Sequence, residues 1–501
     1  MNSKNPTNST NSDNAMNPTH PTNSPPVLLV NPNRMKPAIA PLALDYLGEA
    51  LEDAGFVVDV LDLCFADNPA IEIGRYFERR QPLLVGVTLR NTDDVYYVSQ
   101  DFCLEKHQEI IQSLRQNCRA PIVLGGSGFS IFPEAILDYY GLDLGVWGEG
   151  EVATVGLARE VAAGGELSKV PGLAWRDSGG QLRRNPPASA ILAVSGGLRR
   201  STVDNRRYFE EGGQIGIEAK RGCTCRCAYC ADFLGKGGLS LRSPKGVVQE
   251  IQTLLERGID CLHFCDSEFN LPVDSAVDIC SEMVARGLGG KVRWYAYASP
   301  SPFTDELADL FLKAGCAGIN FGADSGSDRM LRNLGRGFGV EDVVRTAEIC
   351  RRNGLTFMYD LLLGGPGETR ETLKQTIDLM KDISPDRVGV SLGVRLFPGT
   401  KLAAQVLREG PLAANPNVRG RVMGNESLLA PVFYLSWELG LDGEDYLAGL
   451  IGGDERFFFA SSQAGHENYN YNGNDVLVKA IREGYRGAFW DILRRLKSRP
   501  V

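Results

Sequence analysis

The stretch RGCTCRCAYC (221–230) decides how this chain is read. Cys223, Cys227 and Cys230 stand in a C-x3-C-x2-C spacing directly after a predicted strand, so one short loop turns three thiolates toward a single metal centre. A cubane iron–sulfur cluster has four irons and is normally held by four cysteines. With three, one iron keeps a coordination position open to a ligand. The alternative is a closed zinc site with Cys225 as fourth ligand, although C-x-C-x-C-x2-C crowds ligands that zinc usually takes as two separated pairs.

Around that loop, six apolar runs alternate with helical stretches from about Gln214 to Thr400: QIGIEAKRG, CLHFCD, VRWYAYAS, AGINFGAD, LTFMYDLLLGG and RVGVSLGVRLF. Six β/α units cannot close an eight-fold barrel, so residues 213–400 are predicted to form a partial barrel with its chemistry at the C-terminal ends of the strands. Upstream, VLLVN (27–31), VVDVL (57–61), LLVGVTL (83–89), PIVLGG (121–126) and DLGVWGEGE (143–151) predict a doubly wound, Rossmann-like parallel sheet over residues 27–163. Such sheets bind ligands beyond their strand carboxyl ends. Residues 164–212 read as a connector carrying a hairpin that turns at Ser178–Gly180. Residues 1–26, rich in Asn, Thr, Ser and Pro, read as a disordered tail without the apolar segment of a secretory signal. Residues 401–501 form a mostly helical region whose aromatic run RFFFASS (456–462) and terminal amphipathic helix make either a lid or a packing layer. The fold class is therefore α/β.

Composition narrows the function. The 501 residues include 53 Lys plus Arg against 62 Asp plus Glu, a formal charge of −9, which gives no electrostatic reason for a nucleic-acid partner. No apolar run reaches the ~18 residues of a membrane span. With twelve cysteines, four histidines and no secretory signal, the expected setting is cytoplasmic, with thiols reduced, buried or metal-bound.

The cysteine spacing, with Tyr229 just before the last cysteine, resembles the signature of the radical S-adenosylmethionine superfamily, whose partial (β/α)6 barrel agrees with the units counted above. Membership implies that Cys223, Cys227 and Cys230 hold a 4Fe–4S cluster whose open iron chelates the amino and carboxylate groups of S-adenosylmethionine. GADSGSDRML (322–331) resembles the family's segment after the fourth strand, with Asp324 in place of a glutamate and Ser325 beside it. LLGGPGET (362–369) resembles the glycine-rich segment after the fifth, implying that Gly364, Gly365, Pro366 and Gly367 lie against the adenosine. LFPGTKL (396–402) resembles the motif ending the sixth.

In the branch of this superfamily where the barrel follows a doubly wound domain, that domain typically binds cobalamin. Three segments resemble its cofactor-binding loops: GVTLRN with Thr88, Leu89 and Arg90, GGS with Gly125, Gly126 and Ser127, and WGEGEVAT with Gly148, Glu149 and Gly150. The D-x-H-x-x-G loop that ligates cobalt in other cobalamin enzymes is replaced by NPNRMKP (31–37), and none of His20, His107, His263 and His466 is placed as that ligand. Cobalamin is thus expected without histidine coordination, with Arg90 or Arg34 either near its lower face or binding a phosphate or carboxylate.

Asp266 and Glu268 end the second barrel strand, where each either binds the cosubstrate, takes a substrate proton, approaches the cluster or caps a helix. Tyr295 and Tyr297 share a face of the third strand and either wall a substrate pocket or pack the core, with Tyr297 nearer the catalytic rim. The resemblance implies a cobalamin-dependent methyltransferase, moving a methyl group from S-adenosylmethionine through methylcobalamin to an unreactive carbon or phosphorus of a small-molecule or peptide substrate. It also implies an electron donor such as flavodoxin or ferredoxin. One member of the branch methylates without an adenosyl radical. The alternatives are a cyclase or rearrangement enzyme of the same branch and a non-enzymatic cobalamin sensor.

Overall fold

The computed structural model describes residues 24–187, 198–232, 238–459 and 473–497. Nearly all of the predicted tail lies outside them. The first sheet is built from β1 (Val27–Asn31), β2 (Val58–Asp62), β3 (Leu84–Thr88), β4 (Ile122–Gly125), β5 (Leu144–Val146), β6 (Leu173–Arg176) and β7 (Leu182–Arg184), in the order β2-β1-β3-β4-β5-β6-β7. β1 to β5 pair in parallel, and every residue of β1 is buried, as an apolar run covered on both faces must be. Strand order reverses between β1 and β3, so the crevice beyond their carboxyl ends is the ligand position of this topology. The predicted hairpin forms, but it is more than a connector: β6 and β7 extend the same sheet antiparallel from β5 and cover its edge.

The second sheet begins at β8 (Ile215–Ile217). The short strands β9 (Lys220–Arg221) and β10 (Ser240–Leu241) then pair across the base of the cysteine loop. β11 (Cys261–Phe264), β12 (Arg293–Ala298), β13 (Cys316–Asp324), β14 (Phe357–Leu363) and β15 (Arg387–Leu392) complete the expected six parallel strands. β16 (Val394–Arg395), β17 (Val418–Gly420) and β18 (Val432–Tyr434) form a small separate sheet. The aromatic run is neither lid nor packing layer at its start: β19 (Phe457–Phe459) pairs in parallel with β15 as a seventh barrel strand, a place that suits aromatic residues. The terminal amphipathic stretch is two helices, Asp475–Arg482 and Phe489–Lys497, interrupted at Gly484 and Gly487, both with positive φ. No helix among the described residues is long and apolar enough to cross a membrane.

Buried charge joins the two sheets. Arg200 is fully buried, with Nε 2.8 Å from Asp45 on the first unit's helix Leu42–Asp53 and Nη1 2.7 Å from Glu250 on the barrel helix Pro244–Glu256. Arg242 reaches the other Glu250 oxygen at 2.6 Å. Ions taken out of water are tolerable only while paired. Replacing Arg200 with Met removes the charge between Asp45 and Glu250, leaving Glu250 to Arg242 alone, and is expected to cost on the order of 3–5 kcal/mol, read as a large fall in thermal midpoint. Arg75→Ala, at an exposed pair with Glu72, is the control and should cost under about 1 kcal/mol.

Candidate functional site

The cysteine loop is clamped from three sides. Ala228 donates its N–H to Leu334 O (2.8 Å) at the end of helix Asp328–Leu334, and accepts from Leu402 N (2.9 Å) at the start of helix Lys401–Arg408. Just before the loop, Asp266 Oδ1 accepts from Ala219 N (2.9 Å) and Lys220 N (3.1 Å). Asp266 is buried and pushed up to about 7 by that burial; its Oδ1 holds the chain that delivers the cysteines, and its Oδ2 has no hydrogen-bond partner among the described residues.

Each of the three sulfurs receives a hydrogen bond: Cys223 from Cys225 N (3.4 Å), Cys227 from Arg336 Nη1 (3.2 Å) and Cys230 from Asp232 N (3.4 Å). Donors at sulfur stabilise the thiolate, the form that binds iron. Hydrogen bonding from Cys225 pulls the Cys223 thiol down to about 6, whereas burial pushes Cys230 up to about 12. Cys225 thus serves its neighbour through both its thiol and its backbone amide. Among the described residues no three His, Cys, Asp or Glu side chains converge as ligands of one metal ion. The donor set fits a polynuclear cluster, whose thiolates stand farther apart than those around a single zinc.

Arg336 is the residue the sequence did not reveal. In LGRGFG (334–339) it reads as a loop cation between glycines, yet its guanidinium is the hub of the site. Besides Cys227, it reaches Tyr229 Oη (3.4 Å), Gly322 O (2.7 Å), Glu268 Oε1 (3.2 Å) and Asp324 Oδ2 (3.4 Å). Tyr229 in turn donates to Asp324 Oδ2 at 2.6 Å. Asp324 takes a φ of 60° at a bulge in β13, a conformation uncommon for a side-chain-bearing residue and held here by the surrounding contacts. Burial pushes Glu268 up to about 7, and its Oε2 is buried without a hydrogen-bond partner among the described residues. That orphaned oxygen, beside three thiols, is a vacant donor for a bound group.

Other expected contacts are placed differently. Ser325 is fully buried and turned away, sharing its hydroxyl with Thr376 (3.1 Å) and the Ser327 amide (3.2 Å), which corrects its assignment as a cofactor contact. The Leu89 side chain likewise belongs to the core, and the residue acts through its backbone, which binds Gly125 and Gly128. A Cβ on Gly126 would come within 2.6 Å of Leu89 O, so this glycine is demanded by the turn itself. Thr88 lies beside it, and Ser127 Oγ donates to Arg90 O (2.8 Å). Gly364 and Gly367 face Leu435 and Asn333, and Pro366 O accepts from Asn333 (2.8 Å), so the GGPG segment, with Gly365 packed on Leu334, is shaped by protein neighbours. Gly148, Glu149 and Gly150 lie at the start of helix Gly150–Ala163, where Glu149 and Glu151 stand 3.8 and 2.6 Å from Arg221. Glu149 and Glu151, at the start of this helix, therefore tether it to the residue just before the cysteine loop.

A cavity of about 830 Å³ starts at Arg34 and Arg90 beyond β1 and β3, passes Tyr229 and Cys230, and enters the barrel at Tyr297 and Asp360. Arg34 donates to Ala66 O (2.9 Å). Arg90 projects toward the barrel, where its charge adds to burial in lowering His263 to about 4. His263 is therefore a neutral imidazole, with Nδ1 2.9 Å from Phe264 O and its ring 5.2 Å from Tyr297. Asn320 donates to Asp360 (2.7 Å) on the neighbouring strand. The two tyrosines of β12 divide: Tyr297 lines the cavity, and Tyr295 is buried with its hydroxyl on Asp491 (2.8 Å). His107 also reaches the cavity, from the flank of helix Cys103–Asn117 rather than the end of β1, and burial lowers it to about 4. His20 and His466 lie outside the described residues. The crevice at the strand-order reversal, walled by two arginines, fits a large anionic-tailed cofactor such as cobalamin.

Comparison with known proteins agrees with this geometry. Residues 33–158 match the B12 binding domain and residues 217–380 the radical SAM superfamily. The tryptophan 2-C-methyltransferase of Streptomyces laurentii is 36% identical, over 93% of this chain and 95% of that protein. A radical S-adenosylmethionine methyltransferase from Kitasatospora setae, solved with tryptophan and an aza analogue of the cosubstrate, superposes with a TM-score of 0.87 at 33% identity, covering 95% of this chain and 99% of that one. An anaerobic magnesium-protoporphyrin IX monomethyl ester cyclase from Cereibacter sphaeroides is 26% identical over 70% of this chain and 58% of that protein. With its three-cysteine loop, its barrel and its B12-binding sheet, the chain belongs to the cobalamin-dependent radical S-adenosylmethionine methyltransferases.

Proposed function

We propose that this enzyme methylates an unreactive ring carbon of an aromatic amino acid of the tryptophan class. The observation that carries the reading is the single continuous cavity, which opens to the cysteine loop, to the crevice beyond β1 and β3, and to a barrel interior holding Tyr297 and Asp360. A methyl group relayed between two cofactors and a substrate needs these three sites to share one enclosed space. Asp360 supplies a carboxylate for the ammonium of an amino acid, and Tyr297, backed by His263 at 5.2 Å, supplies an aromatic wall with a hydrogen-bonding edge. When bound, the cluster, S-adenosylmethionine and cobalamin supply the electrons and the methyl group. The protein's own part is placement. Cys223, Cys227 and Cys230 would hold the cluster, and Glu268 Oε2 is available to its open iron or to the cosubstrate. Arg336 would fix the cysteine loop against Tyr229 and Asp324, and Arg34 and Arg90 would hold cobalamin in the crevice beyond β1 and β3.

We infer that an acidic one-electron carrier such as flavodoxin or ferredoxin docks over the cysteine loop, where exposed Arg226 and Lys401 lie side by side, Lys401 Nζ 3.4 Å from Arg226 O. A reducing cytoplasmic setting suits a thiolate-bound cluster.

The direct test is anaerobic turnover of L-tryptophan by the reconstituted enzyme with S-adenosylmethionine and a reductant. C-methylated tryptophan with S-adenosylhomocysteine is expected. Accompanying 5′-deoxyadenosine marks a radical route, its absence a polar one, and cobalamin-dependent ring closure without S-adenosylhomocysteine would favour the cyclase reading. Alanine at Cys223, Cys227 or Cys230 is expected to abolish iron binding and turnover, while Cys225→Ala is expected to keep the iron, because the three other thiols remain and the amide at position 225 still donates to Cys223. Arg336→Met, which removes an N–H···S bond and a positive charge, is expected to lower the cluster's reduction potential in an electron paramagnetic resonance titration and to cut turnover about 10–100-fold.

A further inference from the structure

The partial barrel is open at the amino-terminal ends of its strands, and the last described helix fills that end. Trp490 lies so close to β13 that a Cβ on Gly318 would stand 2.9 Å from its ring. Asp491 accepts the Tyr295 hydroxyl at 2.8 Å, and just before the helix Gly487 N donates to Gly213 O at 3.1 Å. Trp490, Asp491 and Ile492 are all buried. Helix Phe489–Lys497 is therefore wedged against the barrel, and its first residue, Phe489, lines the cavity together with Gly389 of β15, Tyr297 and Asp360.

We propose that Phe489 is a specificity-determining residue: the C-terminal helix forms the floor of the substrate pocket, and the Phe489 ring limits how far an aromatic substrate enters the barrel. The inference rests on the reading of an aromatic amino acid as substrate. It assigns to the C-terminal region a part in substrate selection. A ring edge meeting a buried phenyl discriminates by size, because one methyl group more or less in a tight apolar pocket changes recognition about 10–200-fold.

The test uses the full-length enzyme loaded with cluster and cobalamin, and two probes: L-tryptophan, and L-tryptophan carrying a methyl group on the benzo ring. Equilibrium binding by calorimetry and competitive methylation are measured for wild type, Phe489→Leu, Phe489→Ala and Phe489→Trp. Phe489→Leu and Phe489→Ala are expected to shift both readouts at least about 10-fold toward the ring-methylated probe, with Phe489→Trp shifting them the opposite way. A merely structural residue would weaken both probes alike. Wild-type methylation of tryptophan with an unchanged ratio in variants of normal iron and cobalt content overturns the inference and leaves the proposed substrate standing. Failure of the wild type to bind or methylate either probe overturns the proposed substrate and this inference with it.

Discussion

The guanidinium of Arg221 stands between Glu151 of the first unit, at 2.6 Å, and Glu218 of the barrel, at 2.8 Å. Burial alone would raise the Glu151 carboxyl, yet the charge and hydrogen bonds of Arg221 hold it below its ordinary value, so the pair is ionised and strongly coupled. Arg221 immediately precedes the cysteine loop, and Glu151 lies in the first turn of the helix that follows β5. This contact therefore sets the cluster loop against the carboxyl ends of the first sheet. With Arg200 and Arg242 pairing on the same seam, domain apposition here is electrostatic in its specificity and apolar in its bulk. A cavity shared by two cofactor sites exists only because that apposition is fixed.

Inside the barrel, Arg336 plays the corresponding part. A planar guanidinium can serve several acceptors at once, and here they are a thiol, a tyrosine hydroxyl, a carbonyl and two carboxylates. A lysine, with three donors on a flexible stem, cannot span them. Arg336 also offsets the burial of Asp324 and Glu268, both of which are pushed upward by desolvation while its charge acts in the opposite direction. The cosubstrate end of the cavity is thus preorganised by one cation reached from outside the barrel strands.

The elements legible in the sequence are those whose physics is local. Buried parallel strands such as VLLVN and LLVGVTL are continuous apolar runs, and a cysteine loop announces itself by spacing. Long-range placement was not legible. Ser325 sits in a recognisable motif, yet the bulge at Asp324 turns it into the helix layer. Asp266 and Glu268 are two residues apart just past β11, but Oδ1 of the first is held by the amides of Ala219 and Lys220 and Oε1 of the second by Arg336. The GEGE carboxylates look like helix-start residues until Arg221, about seventy positions later, is brought to them. FFF at 457–459 carries no period that separates an edge strand from a packing layer, because its partner β15 lies far upstream.

The carboxylate–arginine seam fixes the cysteine loop against the crevice beyond β1 and β3. Pulsed electron paramagnetic resonance between cobalt(II) cobalamin and the reduced cluster measures that separation directly. One narrow distance distribution is expected in the wild type and a broadened one in Arg221→Ala or Glu151→Gln proteins that still bind both cofactors. A broad distribution in the wild type, or one unchanged by those substitutions, would contradict it.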